Sequence, residues 1–251
     1  CTEEQIASEV ADFCQLVQDL YEDFGFKVST VKFSTRPEVR IGSDELWDRA
    51  EEALSKSTEL AGLKTILNPG EGAFYGPKLE FVLKDCLGRD WQCGTIQVDF
   101  NLPERLGATF VGVDGQKHHP VMLHRAVLGS LERFIGVLIE EYAGDFPLWL
   151  APEQCRVLPI SEKFLDYGRE LTRKLQAEGV RCELDESNEK IGYKIRQGEK
   201  QKVPLLLIVG EKEAEKGSLS LRRRKQGDLG EMELSQFLDF FKAENRPLKA
   251  E

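Results

Sequence analysis

Residues 91–100 read Trp-Gln-Cys-Gly-Thr-Ile-Gln-Val-Asp-Phe, and this stretch decides the fold of the first half of the chain. Ile96 and Val98 alternate with Gln97 and Asp99, which is the period of a half-buried β-strand. Side chains two residues apart share a strand face, so the polar pair lies opposite the core. An amide and a carboxylate on one sheet face suit a small polar ligand such as an amino acid. For this stretch alone, a solvated face without a ligand is the alternative.

Further strands are predicted on both sides of this stretch. Before it, across a glycine turn, Leu79, Phe81 and Leu83 alternate with Glu80, Val82 and Lys84, which predicts an antiparallel hairpin. Beyond it, residues 109–113 and 121–124 flank Asp114-Gly115, a strong turn dipeptide, and are expected to pair with each other. An earlier strand is predicted over residues 28–33.

Three segments carry apolar residues at every third or fourth position, which is the period of an amphipathic helix. They run from Ile6 to Phe24, from Leu46 to Leu54 and from Leu131 to Tyr142. Ser43, followed by two acidic residues, is expected to cap the second helix. The first domain is therefore predicted to have an α+β fold in which helices pack on an antiparallel sheet.

Two prolines end this pattern. Pro147 and Pro152 resist both helix and central strand, so a domain boundary is placed at residue 150. Beyond it, strands alternate with helices, which favours a small α/β domain with parallel pairing. The predicted strands are residues 156–160, 180–184, 203–209 and 219–223, and the predicted helices are residues 162–178, 189–200 and 233–244. The two predicted domains span residues 1–150 and 151–251.

The composition fits a globular protein of two ordinary domains. Of the 251 residues, 41% are hydrophobic and 31% are charged, and no apolar run approaches the length of a membrane span. The six cysteines show no CxxC spacing, so a reducing cytoplasm is the simplest setting. The net charge of −10 divides into −11 for residues 1–150 and +1 for residues 151–251. The negative charge that would repel nucleic acid therefore lies in residues 1–150. Cys1 and the acidic residues that follow it do not resemble a secretory signal, and the chain looks like a piece of a longer protein.

Two further stretches carry residues suited to chemistry. Residues 70–78 are rich in glycine and end in Lys78, but their spacing fits neither the dinucleotide fingerprint nor the Walker A loop, and a tight loop into a strand is the alternative. Residues 124–133 pass from a strand into a helix, with Arg133 one turn inside it. An arginine there can stack on a base and meet phosphate charge, although a lone arginine is usually only solvated.

These three stretches, in this order and at similar intervals, resemble the catalytic domain of bacterial threonyl-tRNA synthetases, a class II family. Residues 34–37, 40–44 and 47–50 are similar to that family as well, and Gly-Ser-Leu-Glu-Arg at 129–133 stands in the place of its motif 3. The resemblance covers essentially the whole chain. It implies a class II catalytic domain whose amino-terminal part is missing, followed by a small α/β anticodon-binding domain.

The resemblance implies roles for particular residues of the first domain. Arg133 corresponds to the motif 3 arginine that stacks on adenine and faces the ATP phosphates. Lys78 would lie near the α-phosphate, where negative charge grows as the threonine carboxylate attacks. The residues implied to line the threonine and ATP pocket are Tyr75, Gln92, Cys93, Gln97, Asp99 and Ser130.

A metal site is implied as well. His124 would be one of three protein ligands to Zn²⁺, and the other two, a cysteine and a histidine, would precede residue 1. The zinc ion would bind the amino and hydroxyl groups of threonine and so exclude valine, which has no hydroxyl. Mg²⁺ is expected with ATP. The competing histidines, His118 and His119, are expected in an exposed loop beside the turn at Asp114.

Segments between residues 188 and 213 resemble the anticodon-binding domain that several class II synthetases share. Carried over from that family, Asn188, Glu213 and Arg222 would contact anticodon bases, which are read through hydrogen bonds on exposed edges and by stacking. The basic run that begins at Arg222 would hold phosphate groups. For that run alone, a solvated charged face is the alternative.

The implied function is that of a threonine–tRNA ligase, which forms threonyl-adenylate from ATP and L-threonine and transfers the threonyl group to tRNA(Thr). The parent enzyme is expected to be a cytoplasmic homodimer without a membrane segment. The family's motif 1 and its motif 2 arginine would precede residue 1, so activity is expected of the complete parent and not of this chain alone.

Two alternatives stay open. One is a non-catalytic, synthetase-like protein that binds RNA or assists another enzyme. The other is an enzyme for proline, glycine or histidine, which the threonine-like residues 91–99 and His124 disfavour.

Overall fold

The computed structural model describes residues 1–247, and the last four residues of the second predicted domain lie outside it. Packing divides the described residues into two compact units, residues 1–141 and residues 142–247. The limit at residue 150 stays a prediction about functional domains.

The strands of the first unit are β1 (Val28–Ser34), β2 (Thr65–Asn68), β3 (Lys78–Lys84), β4 (Asp90–Asp99), β5 (Phe110–Val111), β6 (Lys117–His118) and β7 (Met122–Ala126). Five of them form one sheet in the order β2-β1-β3-β4-β7. Neighbours in this sheet are antiparallel except for β1 and β2, which are parallel. The predicted hairpin is confirmed as β3 and β4, and β4 lies inside the sheet with a partner on each side.

The helices of the first unit are α1 (Ile6–Asp23), α2 (Asp44–Leu60), α3 (Leu102–Arg105) and α4 (Leu131–Glu141). Ser43 caps α2 as predicted, because its side chain accepts a hydrogen bond from the backbone N–H of Leu46. Phe13 of α1 and Phe81 of β3 are both buried, and their rings meet edge to face with centroids 6.3 Å apart. This burial of helical side chains against strands confirms the α+β fold class predicted from the sequence.

The predicted pairing of residues 109–113 with residues 121–124 is wrong. β5 pairs with β6 in a separate two-stranded ribbon around the turn at Asp114, and β7 pairs with β4 instead. The turn dipeptide is correctly placed, since Gly115 has a φ of 72°, but it closes a shorter ribbon than predicted. β4 is ten residues long, and one of its edges is not paired with β3. β7 lies along that edge, where all five of its residues pair with β4. His118 and His119 are both exposed as expected, although His118 belongs to β6 and not to a loop.

The second unit contains a sheet of the order β12-β11-β10-β8-β9 with helices around it. Its strands are β8 (Cys155–Pro159), β9 (Cys182–Leu184), β10 (Leu205–Val209), β11 (Ser218–Arg223) and β12 (Gly227–Glu233). Its helices are α5 (Leu165–Ala177), α6 (Ile191–Lys200), α7 (Glu211–Lys216) and α8 (Leu234–Glu244). The predicted parallel pairing is confirmed between β8 and its neighbours β9 and β10, whereas β11 and β12 are antiparallel.

Two clusters of buried side chains cover the two faces of this sheet. The larger cluster contains Leu171 and Leu175 of α5 together with Phe237 and Phe241 of α8. The smaller one joins Leu158 and Leu206 of the sheet to side chains of α6. Arg222 of β11 is opposite Leu206 and therefore points to the same side as the smaller cluster.

All six cysteines are free, and the exposed ones are Cys1 and Cys86. Burial raises the pKa of the Cys14 thiol to about 12. Cys155 and Cys182 are direct partners on β8 and β9, and hydrogen bonding between them together with burial raises the pKa of Cys155. Within residues 1–247, no helix is long and apolar enough to cross a membrane.

Candidate functional site

Three of the predicted catalytic and binding residues lie in one row across the sheet of the first unit. Lys78 of β3 is the direct partner of Gln97 on β4, and Gln97 is the direct partner of His124 on β7. Directly opposed residues of antiparallel strands share a face, so their side chains point to the same side. The row continues to Ser34 of β1, which is opposite Lys78.

Tyr75 and Asp99 join this row. The Tyr75 hydroxyl donates a hydrogen bond to the side-chain carbonyl of Gln97, and the rings of Tyr75 and His124 lie 4.9 Å apart. His124 Nε2 is 2.9 Å from Asp99 Oδ2. Burial, helped by the nearby Asp99 carboxylate, raises the pKa of Tyr75, so its hydroxyl stays protonated and able to donate. The structure therefore brings Tyr75, Gln97, Asp99 and His124 into one polar cluster.

Asp99 is fixed more firmly than the other members of this cluster. Its side chain is fully buried, and Oδ1 accepts hydrogen bonds from the backbone N–H groups of Asn101 at 2.8 Å and Leu102 at 3.0 Å. Asn101 in turn donates its side-chain N–H to the carbonyl oxygen of Tyr75 at 3.1 Å. The end of β4 and the segment before β3 are thereby tied to each other around the cluster.

The glycines of residues 70–78 are needed for close packing of the backbone. A Cβ atom on Gly76 would lie 1.8 Å from the carbonyl oxygen of Val98, and one on Gly72 would lie 2.5 Å from the carbonyl oxygen of Thr35. Only a residue without a side chain allows backbone to approach this closely. The segment is thus a tight loop into β3 that presses against β4, and this places Tyr75 and Lys78 beside the cluster.

Lys78 is held by a chain of contacts that the sequence analysis missed. Its Nζ is 2.6 Å from Glu80 Oε1, and Ser34 donates its hydroxyl to the other carboxylate oxygen of Glu80 at 3.1 Å. Asn68 of β2 donates its side-chain N–H to the Ser34 oxygen, also at 3.1 Å. Opposite charges two residues apart on β3 were the available signal for Glu80, whereas no sequence pattern points to Ser34 or Asn68.

Arg133, at the start of α4, lies over an aromatic ring. Its guanidinium carbon is 5.8 Å from the centre of the Trp91 ring, and that of Arg89 is 5.6 Å from the same ring. Asp85 accepts the indole N–H of Trp91 at 2.8 Å, which fixes the plane of the ring. The side chain of Arg133 is exposed, so a face of its guanidinium is available to a ligand.

The other three predicted pocket residues differ in exposure. Cys93 is buried, and burial raises the pKa of its thiol while the nearby Arg133 charge opposes that rise. Ser130 is exposed, and its hydroxyl donates to Glu132 at 2.8 Å and accepts the backbone N–H of Arg133 at 3.3 Å. Gln92 presents its side chain to solvent. Cys93 is therefore not exposed to a ligand, and Ser130 stabilises the first turn of α4.

Asp85 gives the site region a pH dependence. Burial would raise the pKa of its carboxyl, but hydrogen bonds from the Trp91 indole and from the backbone and side chain of Arg89 outweigh burial and hold that pKa well below its ordinary value. Such a carboxyl has a lower pKa in the folded protein than in the unfolded chain. Its stabilising effect is complete when the pH is above the pKa of the unfolded chain, and it is lost as the pH falls through the pKa of the folded protein.

We therefore expect Asp85→Asn to be less stable than the wild type at neutral pH and to approach it in acid. The midpoint of thermal unfolding would be measured for both proteins from pH ~7 to ~1, because the stabilisation begins to be lost near the ordinary carboxyl pKa of about 4 and disappears only as the pH falls through the depressed folded value. Asp90→Asn, which removes an exposed partner of Lys84, is the matched control and should run parallel to the wild type. A constant difference between Asp85→Asn and the wild type across this range would contradict the assigned role of Asp85.

The residues of the first unit do not complete a zinc site by themselves. Residues 1–247 contain no group of three histidine, cysteine, aspartate or glutamate side chains placed to hold a metal ion. Histidine is an ordinary zinc ligand, and His124 Nε2 is engaged with Asp99 in the ligand-free protein. No chemical step can be assigned to zinc from these residues.

In the second unit, two of the predicted base-contacting residues share one side of β11. Glu213 of α7 accepts the hydroxyl of Ser220 at 2.8 Å and the backbone N–H of Gly210 at 2.9 Å. Ser220 and Arg222 are two residues apart on β11 and so share a face. Arg222 Nε is 3.3 Å from Glu199 Oε1 of α6. Asn188 is exposed in the segment between β9 and α6.

The basic run that begins at Arg222 is a set of ion pairs. Arg223 is 2.7 Å from Glu244, and both Arg224 and Lys225 contact Asp145. Ion pairs near the surface contribute little to stability. These pairs nevertheless compete with phosphate for the same cations. The run is therefore partly neutralised before any nucleic acid arrives.

Comparison with known families matches both units. The family described as the tRNA synthetase class II core domain (G, H, P, S and T) matches residues 1–142. The family described as the anticodon binding domain matches residues 154–244. Together they account for nearly the whole chain.

Individual relatives agree with these matches. A threonine–tRNA ligase of Ehrlichia canis is 60% identical over 88% of this chain and 35% of its own length, and one of Methylococcus capsulatus is 57% identical over 97% and 38%. A crystal structure described as the RNA binding domain of threonyl-tRNA synthetase from Cryptosporidium parvum superposes with a TM-score of 0.92 at 37% identity, covering 100% of this chain and 63% of that one. The chain thus spans little more than a third of the length of these curated relatives.

Proposed function

The chain belongs to the class II aminoacyl-tRNA synthetase family, and from that premise we propose that it is part of a threonine–tRNA ligase. The complete enzyme would form threonyl-adenylate from ATP and L-threonine, with Mg²⁺ accompanying ATP, and would then charge tRNA(Thr). Within it, residues 1–150 would contribute to the catalytic domain and residues 151–251 would read the anticodon. The row of Lys78, Gln97 and His124 on one sheet face is the observation that carries this proposal.

The polar cluster suits recognition of threonine. Gln97 and Tyr75 offer an amide and a hydroxyl, and the buried carboxylate of Asp99 offers negative charge toward an ammonium group. A site built to hydrogen-bond a hydroxyl rejects substrates that lack one far better than an apolar pocket can. The predicted role of His124 as a zinc ligand stays part of this proposal, with the other ligands supplied from outside these residues.

Lys78 and Arg133 suit the ATP side of the same reaction. The Lys78 ammonium lies in the same row as Gln97, close enough to the threonine cluster to offset charge that develops on an α-phosphate. Arg133 is exposed on the rigid Trp91 ring, a position from which it can stack on adenine. The predicted homodimer and the cytoplasmic location stay proposals that rest on the family.

A second candidate function is RNA binding without ligase activity. One observation favours it, because the Cryptosporidium parvum structure that superposes on all of this chain is itself described as an RNA binding domain. In this alternative the cluster around Gln97 would have no substrate, and only the second unit would act.

We expect the purified 251-residue chain to give no threonine-dependent exchange of pyrophosphate into ATP. This chain supplies one predicted zinc ligand and one predicted arginine for ATP. Without the further ligands and the second arginine, the transition state would lack part of its charge stabilisation. The measurement is radioactive pyrophosphate exchange, with a complete threonine–tRNA ligase as the positive control. Clear exchange by the chain alone would overturn the partial-site assignment.

Anticodon binding is tested on the same chain. We expect it to bind an RNA stem-loop carrying the tRNA(Thr) anticodon, and Arg222→Ala to weaken binding about tenfold, the usual effect of losing one base contact. Arg173→Ala is the matched control, because it removes an exposed arginine from α5 on the other side of the sheet. Binding would be followed by fluorescence anisotropy of the labelled RNA. Equal losses from the two variants would show that the contact is general charge attraction and not base recognition.

A further inference from the structure

Lys194 of α6 is a charged side chain in the interior of the second unit. It is only 3% exposed, and its Nζ donates to the carbonyl oxygens of Pro159 at 3.2 Å and Asp185 at 3.1 Å. The same Nζ is 3.6 Å from the Asp185 carboxylate. Removing an ammonium group from water is strongly unfavourable, and a buried ion pair can often be replaced by apolar side chains of similar size without loss of stability. A buried lysine at this place therefore calls for a role beyond packing.

The partners of Lys194 lie at one edge of the sheet. Pro159 is the last residue of β8, and Asp185 directly follows β9, so the lysine joins the carboxyl ends of two neighbouring parallel strands. Asp185 is also tied by its backbone N–H to the carbonyl oxygen of Val157 at 3.0 Å. Its carboxylate accepts the backbone N–H of Ser187 at 2.9 Å. These contacts fix the beginning of the segment that carries Asn188.

This edge is where a sheet of this topology offers a ligand crevice. β8 has β9 on one side and β10 on the other, and the chain leaves the carboxyl ends of β9 and β10 on the way to α6 and α7. Ligands of open α/β sheets bind outside the carboxyl ends of the strands, at the place where the strand order reverses. Asn188 and Glu213 follow β9 and β10 respectively, so both residues emerge at this edge.

We infer that Lys194 is a positioning residue for RNA recognition, which holds the segment 185–190 so that the Asn188 side chain meets its base. This inference rests on the proposed anticodon-binding function. Lys194 itself is buried and does not touch the RNA. Its effect passes through Asp185, because the ammonium group fixes both the carbonyl oxygen and the carboxylate of that residue.

The experiment is a double-mutant cycle on stem-loop binding by the full chain. Lys194→Met keeps the length of the side chain and removes the ammonium group, and Asn188→Ala removes the base contact. Each variant is expected to weaken binding about tenfold, and the double variant should also weaken it about tenfold, because coupled residues are not additive. Arg222→Ala in the Lys194→Met background is the control, and there the losses should multiply to about a hundredfold.

A second variant and a second readout keep the result decisive. Asp185→Asn removes the charge pair but keeps the backbone carbonyl oxygen that accepts from Lys194. It should weaken RNA binding less than Lys194→Met does, and it should have no further effect on binding in the Asn188→Ala background. Hydrogen exchange of the RNA-free proteins should be faster over residues 185–190 in Lys194→Met than in the wild type, with α8 unchanged. The unchanged exchange of α8 shows that the variant is folded.

Three outcomes would overturn the inference. Unchanged exchange over residues 185–190 would show that Lys194 does not anchor the segment, whatever the RNA measurements give. Faster exchange combined with a hundredfold loss in the Lys194→Met and Asn188→Ala double variant would show that the anchor does not serve Asn188. A wild-type chain that ignores the anticodon sequence would remove the proposed function and with it the role in recognition, while the exchange data would still report on the anchor by themselves.

Discussion

Replacing Gly76 by alanine is expected to lower the free energy of unfolding of the first unit by about 3 kcal/mol, the upper end of the usual overpacking range. The added Cβ would lie 1.8 Å from the carbonyl oxygen of Val98, and neither group is the end of a flexible side chain. The loop must therefore move away from β4. Tyr75 directly precedes Gly76 and Lys78 follows it by two residues, so the same shift would separate both from Gln97.

The matched control for this prediction is Gly136→Ala. Gly136 lies on the exposed side of α4 with nothing within 4 Å of an added Cβ, and alanine in a helix is better than glycine by about 1 kcal/mol. The same substitution should thus act in opposite directions at the two places. The stability of both variants would be measured by urea unfolding, with hydrogen exchange of peptides from β3 and β4 as the readout. A Gly76→Ala protein as stable as the wild type would show that the loop does not need its approach to β4.

Replacing Lys78 by methionine is expected to cost about 3–5 kcal/mol, because it leaves a buried carboxylate without its cation. Glu80 is 5% exposed, and Lys78 Nζ is its charged partner at 2.6 Å. The remaining hydrogen bond from Ser34 involves a neutral group and replaces only part of the lost interaction. The loss would be measured by the same urea unfolding of the first unit.

The double variant Lys78→Met with Glu80→Gln separates the charge pair from packing. Replacing both members of a buried ion pair with neutral residues is often close to neutral, so this protein should recover most of the stability that Lys78→Met loses. Glu52→Gln, which removes an exposed partner of Lys56 on α2, is a control that should change little. A double variant as unstable as Lys78→Met would show that Lys78 contributes through its packing and not through Glu80.

The ion pair also sets a condition on the proposed role of Lys78. An ammonium group has three N–H donors, and Glu80 occupies one of them in the ligand-free protein. A phosphate group would therefore bind a Lys78 ammonium group that also contacts Glu80. Because Glu80 holds that ammonium group in place, the phosphate would bind it in a fixed position. Glu80 would thus lower the net charge that Lys78 offers while it improves the geometry.

Much of the fold follows from periodicity in the sequence. The alternation of residues 91–99 corresponds to β4, and the helical period from Ile6 corresponds to α1, because both elements bury one face and expose the other. Such patterns are local and strong. The side-by-side placement of Gln97 and Asp99 with Tyr75 and His124 followed from the same alternation together with the family resemblance.

Other elements were missed where burial is not periodic. β2 leaves Ile66 and Leu67 exposed by 61% and 60%, so its residues show no alternation that a sequence reveals. β12 contains Gly227 and Gly230 and reads as a loop, but it is held by pairing with β11. Both are edge strands. They form because their backbones hydrogen-bond to a neighbouring strand, and their own side chains show no strand pattern.

Contacts between distant residues could not be predicted either. Ser34, Asn68 and Glu80 meet because β1 lies between β2 and β3, and that strand order has no signature in the sequence. The pairing of the basic run with Asp145 and Glu244 depends on tertiary structure in the same way. For this run, charge pattern alone left the choice between phosphate binding and a charged surface open.

The distribution of thiols makes the first unit selectively addressable by chemical labels. Cys1 and Cys86 are the exposed cysteines, whereas both cysteines of the second unit are enclosed by its sheet and helices. Maleimide reagents attack thiolates at the surface, so a fluorophore or spin label attached under mild conditions would mark the first unit and leave the second unmodified. A probe at Cys86, on the turn between β3 and β4, would then report on that hairpin without any prior cysteine replacement in the second unit.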